Sequence, residues 1–204
     1  ATAHYEAWCA AYVPLDATAL ARKRAAMRAD QFQCFRATFY RWAQHWQTHA
    51  AHDALAPLHA EHVVLAVGDL HVENFGTWRD AEGRLVWGMN DADEAWPLPW
   101  PQDLVRLQAS AVLAAETGHL DLDPGDAAHA IVHGYGEGVA AGGVPFVLAE
   151  RHGALHRMAS ARLHDPSTFW DRLAAWPDIT TRSTARSPTA PSHGTSPAAP
   201  GSAR

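Results

Sequence analysis

Lysine is almost missing from this chain. Of sixteen basic residues only Lys23 is a lysine, so any role that needs a positive charge falls to arginine. Cysteine is scarce as well: Cys9 and Cys34 form no CxxC pair, which excludes a disulfide framework and a cysteine-rich metal finger. Two cysteines are the usage of a reducing compartment, and a cytoplasmic protein is expected. No apolar run approaches the roughly 18 residues of a membrane span. The first residues, Ala1-Thr2-Ala3-His4-Tyr5-Glu6, lack the basic and apolar regions of a signal peptide. A net charge of −6 gives no basis for a nucleic-acid-binding surface. Thr180 to Arg204 holds no Leu, Ile, Val or aromatic residue. Such a stretch cannot bury enough surface to offset ordering, so residues 178–204 are expected to be a disordered tail and residues 1–177 the folded part.

What is present is apolar enough, at 48%, for a real core. Asp16 can cap a helix running to about Met27, and Asp30 a second one. In the second, Phe32, Phe35, Phe39, Trp42 and Trp46 recur at spacings of three and four, the pattern of one apolar helix face. His62 to Val67 reads as a buried strand that ends at Gly68. Phe75–Arg79 and Arg84–Met89 flank Asp80-Ala81-Glu82-Gly83 as a hairpin. Trp96-Pro97-Leu98-Pro99-Trp100-Pro101 reads as irregular, because prolines remove backbone donors. Helices are expected near 103–117, 124–141, 146–163 and 167–175, the first of them buried.

The chemistry is concentrated in Gly68-Asp69-Leu70-His71-Val72-Glu73-Asn74 and, beyond the hairpin, Asp91-Ala92-Asp93-Glu94. Asp69, leaving a strand, can take or orient the proton of an attacking hydroxyl. Asn74, five residues on, can offer an amide oxygen to a hard cation, and Asp91 and Asp93 can do the same with carboxylates. If the hairpin strand continues, Asp91 and Asp93 share a face; Asp91 is the first choice, Asp93 its rival and Glu94 a third. A base, an amide and an acidic cluster in this order is the arrangement of kinase-type phosphoryl transfer.

These motifs, with Asp103-Leu104-Val105-Arg106-Leu107-Gln108-Ala109-Ser110, Arg36-Ala37-Thr38-Phe39-Tyr40-Arg41-Trp42, Gly134-Tyr135, Pro145 to Glu150 and Phe169-Trp170, resemble an uncharacterised bacterial group. It is the domain-of-unknown-function family 2252, itself similar to aminoglycoside-phosphotransferase-type kinases, and the likeness runs from Met27 to Pro177. The resemblance implies that Asp69 is the catalytic-loop aspartate and that Asn74 and Asp91, with Asp93 nearby, bind magnesium. It implies that Asp103 braces the loop from a helix start. Ala92 departs from the bulkier residue usual there. The family's glycine-rich turn and strand lysine have no counterpart here: Gly134-Tyr135-Gly136-Glu137-Gly138 falls in a helical stretch, and Lys23 lies on a helix. Arg36 is then the candidate to pair with ATP phosphates.

Three other patterns carry less. His45, His49 and His52, with Asp53, fall at helical spacing and read as a solvated face rather than a zinc site. His71 is expected to orient Asp69, or to be satisfied by loop backbone. A Ser-His-Asp enzyme lacks its GxSxG elbow, and a two-metal phosphoesterase lacks its spread of His and Asp ligands.

The sequence therefore predicts a mostly helical α+β fold resembling the catalytic lobe of a kinase-like protein, without the glycine-rich nucleotide lobe. It predicts an ATP- and Mg2+-dependent phosphotransferase layout for an unknown small-molecule acceptor, truncated and silent in this chain. The alternatives are a metal-dependent phosphoesterase and a non-catalytic binding module. Self-association through exposed apolar surface is expected, with the Phe32–Trp46 face as its seat.

Overall fold

A computed structural model describes residues 2–59, 62–118, 121–162 and 166–175. Packing divides the chain into a unit spanning Ala1–Ser160 and a second spanning Ala161–Arg204. The first holds every candidate site residue. In the second the described structure is the end of one helix and a further helix, Pro166–Ala174. The tail expected after Pro177 lies outside the described residues.

The first unit is a mixed, mostly helical structure with two small antiparallel sheets. It opens with α1 (Thr2–Ala10) and α2 (Ala17–Ala29). Asp16 caps α2, its carboxylate accepting from Ala19 N at 2.8 Å. Asp30 then ends α2 and caps α3 (Gln31–Arg36). The aromatic helix read from the sequence is broken: α3 stops at Arg36, α4 (Phe39–His45) follows, and Trp46–Thr48 form a 3-10 turn before α5 (Ala50–His59). Thr38 makes the break. Its hydroxyl donates to Cys34 O at 2.7 Å, competing with the helical ladder. The kink keeps Phe32, Phe39 and Trp46 buried and leaves Phe35 and Trp42 half-buried. This face is core, so it is not the exposed surface expected for self-association.

Strand β1 (Val63–Ala66) leads to Gly68 as expected, but it is not buried: Val63 is 62% and Leu65 77% exposed. Its partner is the segment read as irregular, β4 (Trp96–Pro99). Trp100 N donates to His62 O, so even-numbered residues of β4 face β1. Pro97 and Pro99 alternate with them and turn their missing donors to the outer edge, where a strand tolerates proline. β2 (Phe75–Arg79) and β3 (Leu85–Met89) form the predicted hairpin. Gly83 takes φ +78° in its turn, and Asp80 accepts from Glu82 N and Arg84 N. β5 (Phe146–Val147) joins β3 where a helix was expected, and helix α8 (Leu148–Arg151) begins only after Val147, with Val147 and Leu148 both buried. Helix α6 (Pro101–Glu116) packs on α7 (Pro124–Ala140), and α9 is Gly153–Arg162. The buried face of α6 is mixed, with Gln102, Arg106 and Ser110 inside beside Ala111 and Ala114. Among the described residues no helix is long and apolar enough to cross a membrane.

Candidate functional site

One face of α6 grips the loop that follows β1. Asp103, in the first turn, accepts from Val67 N at 2.7 Å and Gly68 N at 3.0 Å. One turn on, Arg106 bonds Asp69. One turn further, Ser110 Oγ accepts from Val72 N at 3.0 Å and donates to Leu107 O at 2.6 Å. The loop then closes on itself. Asn74 Oδ1 accepts from His71 N at 2.7 Å, and Asn74 N donates to His71 O at 2.9 Å. Asn90 N donates to Asn74 O at 2.8 Å, tying the loop to the acidic segment after β3. Asn74 is buried with one amide lone pair engaged, and a carbonyl oxygen has two.

Asp69 is held by Arg106, not by His71. Arg106 Nε reaches Asp69 Oδ1 at 3.0 Å and Nη2 bonds the same oxygen. Arg106 is only 1% exposed. Its guanidinium lies 4.0 Å from the Phe35 ring centroid, and Nη2 also donates to Phe35 O, a carbonyl freed by the end of α3. Burial raises the Asp69 pKa above the usual carboxylate range, and the Arg106 charge and hydrogen bond pull it back. His71 Nε2 stands 3.9 Å from Asp69 Oδ2, too far for a hydrogen bond. That nitrogen accepts instead from Arg36 Nε at 3.2 Å. Arg36, whose orientation the sequence left open, thus faces the loop and pairs with Glu73 through Nη1.

His71 is buried, and its pKa is pushed down to about 4, by desolvation first and then by the Arg36 and Arg106 charges. The folded state therefore prefers a neutral ring, whereas the unfolded chain takes up a proton near pH ~6.5. Stability from this residue is intact above ~6.5 and lost as the pH falls toward 4, by roughly 3 kcal/mol at the limit. Urea unfolding at pH 7.5 and pH ~5 should show wild type losing more stability on acidification than His71→Gln. Equal losses would show that His71 is not buried neutral.

The strand does not continue through the acidic cluster. β3 ends at Met89, and Asp91, Asp93 and Glu94 lie on an exposed loop. The carboxyl groups still meet. The Asp93 pKa is raised by burial first and then by the neighbouring Asp91 carboxylate. Glu94 is raised by burial, Asp93 and Asp69, with Lys23 opposing. Ala92 is exposed, and the segment is anchored by its backbone instead: Glu94 O comes so close to Gly68 that a Cβ there would collide with it. Among the described residues no three His, Cys, Asp or Glu converge as a ready-made metal site. The available donors are oxygens, Asp91 and Asp93, which interact electrostatically with Asp69, and the Asn74 amide on the same loop as Asp69, a set that fits a hard divalent cation rather than zinc. The His45–His52 stretch loses its helical spacing at the end of α4, and His49 tucks against Trp42 with ring centroids 5.0 Å apart.

Sequence reasoning missed Arg106 and Ser110. Their signal was present: Asp103, Arg106 and Ser110 recur at helical spacing along α6.

Fold and site define a mixed α/β protein in which one helix clamps an Asp-bearing loop beside a carboxylate cluster. Residues 15–145 match the family described as uncharacterized protein conserved in bacteria (DUF2252). That stretch is more than half of the chain and contains every residue of the site, and the chain belongs to this family. No curated protein and no solved structure matches the chain.

Proposed function

We propose that the protein carries the layout of a metal-dependent, kinase-like phosphotransferase, and that this polypeptide by itself binds nucleotide without turning it over. The observation that carries the proposal is the junction of two clamped segments. Asp69, on a loop pinned by Asp103, Arg106 and Ser110, feels the Asp91 charge, while Asp93 feels both.

Asp91 and Asp93, with the Asn74 amide, would hold Mg2+. The ion supplies the charge that screens phosphate oxygens. Asp69 would accept the proton of an acceptor hydroxyl through Oδ2, the oxygen that Arg106 leaves free, as the new O–P bond forms and the bond to the departing diphosphate breaks. Arg36, next to the loop, would meet phosphate oxygens in exchange for Glu73. The silence is read from the phosphate side: Arg106 only partly offsets the burial that raises the Asp69 pKa, so the base is retained, while the sole lysine, Lys23, lies on α2 near Glu94.

Calorimetry with ATP should show binding that requires Mg2+ and that Asp91→Ala weakens by at least about tenfold, ~1.4 kcal/mol. Binding indifferent to both would overturn the reading. Turnover of ATP that disappears in Asp69→Ala would refute the silence and leave an active enzyme.

A further inference from the structure

We propose that the groove along α4 is a separate binding site for a small organic anion: a phosphate or carboxylate head on a flat apolar body. The groove encloses about 290 Å3, at the small end of ligand pockets. Arg41, His45 and His49 line one part, the rings of Phe35 and Trp42 another, and Arg106 reaches it from the interior. Among the described residues no carboxylate lines it. The Arg106 charge is already matched by Asp69, so the groove's positive charge rests on Arg41.

Two buried nitrogens identify the ligand's chemistry. Trp42 Nε1 and His49 Nδ1 are both shielded from solvent and without a hydrogen-bond partner. An indole N–H can only donate, and a donor buried without an acceptor is costly. The two rings, both in the lining of the groove, lie 5.0 Å apart, tilted by 35°. A turn of the Trp42 ring toward the groove would uncover its N–H, an oxyanion beside Arg41 would then accept from it, and the imidazole can present an N–H in one tautomer. The volume exceeds what a bare inorganic anion fills, and the Phe35 and Trp42 faces suit a planar body.

The test uses the full chain without magnesium or nucleotide, which separates it from the phosphotransfer proposal. Phenyl phosphate, benzoate, inorganic phosphate and benzyl alcohol are titrated by calorimetry. Phenyl phosphate and benzoate should bind, with inorganic phosphate and neutral benzyl alcohol weaker by about tenfold or more. Arg41→Gln should weaken phenyl phosphate by about tenfold. Trp42→Phe keeps the ring and deletes the N–H, and should weaken it by about threefold to tenfold. Asp91→Ala should leave it unchanged. Benzyl alcohol binding as well as benzoate, or inorganic phosphate as well as phenyl phosphate, would overturn the proposal. So would wild-type binding in Arg41→Gln or Trp42→Phe, or loss of binding in Asp91→Ala. Should Arg41→Gln fail to fold by circular dichroism, Trp42→Phe decides alone.

Discussion

Arg106→Ala is expected to lower the unfolding free energy by about 3–5 kcal/mol, the cost of breaking a buried ion pair from one side. Three losses combine. The Asp69 carboxylate, whose pKa burial already raises, loses its counter-charge. Phe35 O, where α3 ends, loses its shortest hydrogen bond and keeps the longer ones from Thr38. The aromatic surfaces of Phe35, Phe39 and Trp42 lose the guanidinium that lies against them. Urea denaturation followed by circular dichroism reads the change as a shift in midpoint at unchanged slope. The double variant Arg106→Met with Asp69→Asn removes both charges and keeps volume, so it should recover a large part of the loss. A cost under about 1 kcal/mol for the single variant would mean that water, not Arg106, solvates Asp69.

Gly68→Ala is expected to be comparably severe, at about 3 kcal/mol or more, for two reasons that a control separates. Gly68 has φ +85°, which costs an alanine about 1–2 kcal/mol on conformation alone. A methyl group there would also collide with Glu94 O and lie 3.1 Å from Phe39 Cζ. A backbone carbonyl cannot rotate aside, so the acidic segment would have to leave the loop. Gly83 has nearly the same conformation, φ +78°, and a methyl group added to it would meet nothing within 4 Å. Gly83→Ala should therefore cost only the conformational part, about 1–2 kcal/mol. Equal effects at the two glycines would show that the close approach of Glu94 to Gly68 carries no strain. In Gly68→Ala the proposed Asp91-dependent nucleotide binding should also fall, because the two segments would no longer be in register.

Local chemistry was legible where it acts alone. Asp16 and Asp30 announce helix starts, and the turn between β2 and β3 is written in Asp80 and Gly83. Tertiary competition was not. The aromatic spacing from Phe32 to Trp46 is that of one helix, yet the Thr38 hydroxyl and the Arg106 guanidinium claim the carbonyls at the end of its first turns. β1 looks like core by composition but, among the described residues, finds only β4 beside it, and β4 looked unpaired because its prolines were counted without asking which edge they face. In the candidate site, the sequence singled out Asp69, Asn74, Asp91 and Asp103, and the brace expected of Asp103 is seen in its bonds to Val67 N and Gly68 N. It could not show that Arg106 holds Asp69, because a lone arginine in an apolar helix acquires a partner only after the chain has folded back across 37 residues.

The placement of Pro97 and Pro99 has one more consequence. Growth of a fibril by strand stacking requires each strand to pass hydrogen bonds on to the next. β4 cannot do so on its outer side, where both prolines lack a donor, so a foreign strand that added to this ribbon could do so only along β1. The ribbon is thus a chain terminator: it can end a stack, and it cannot propagate one.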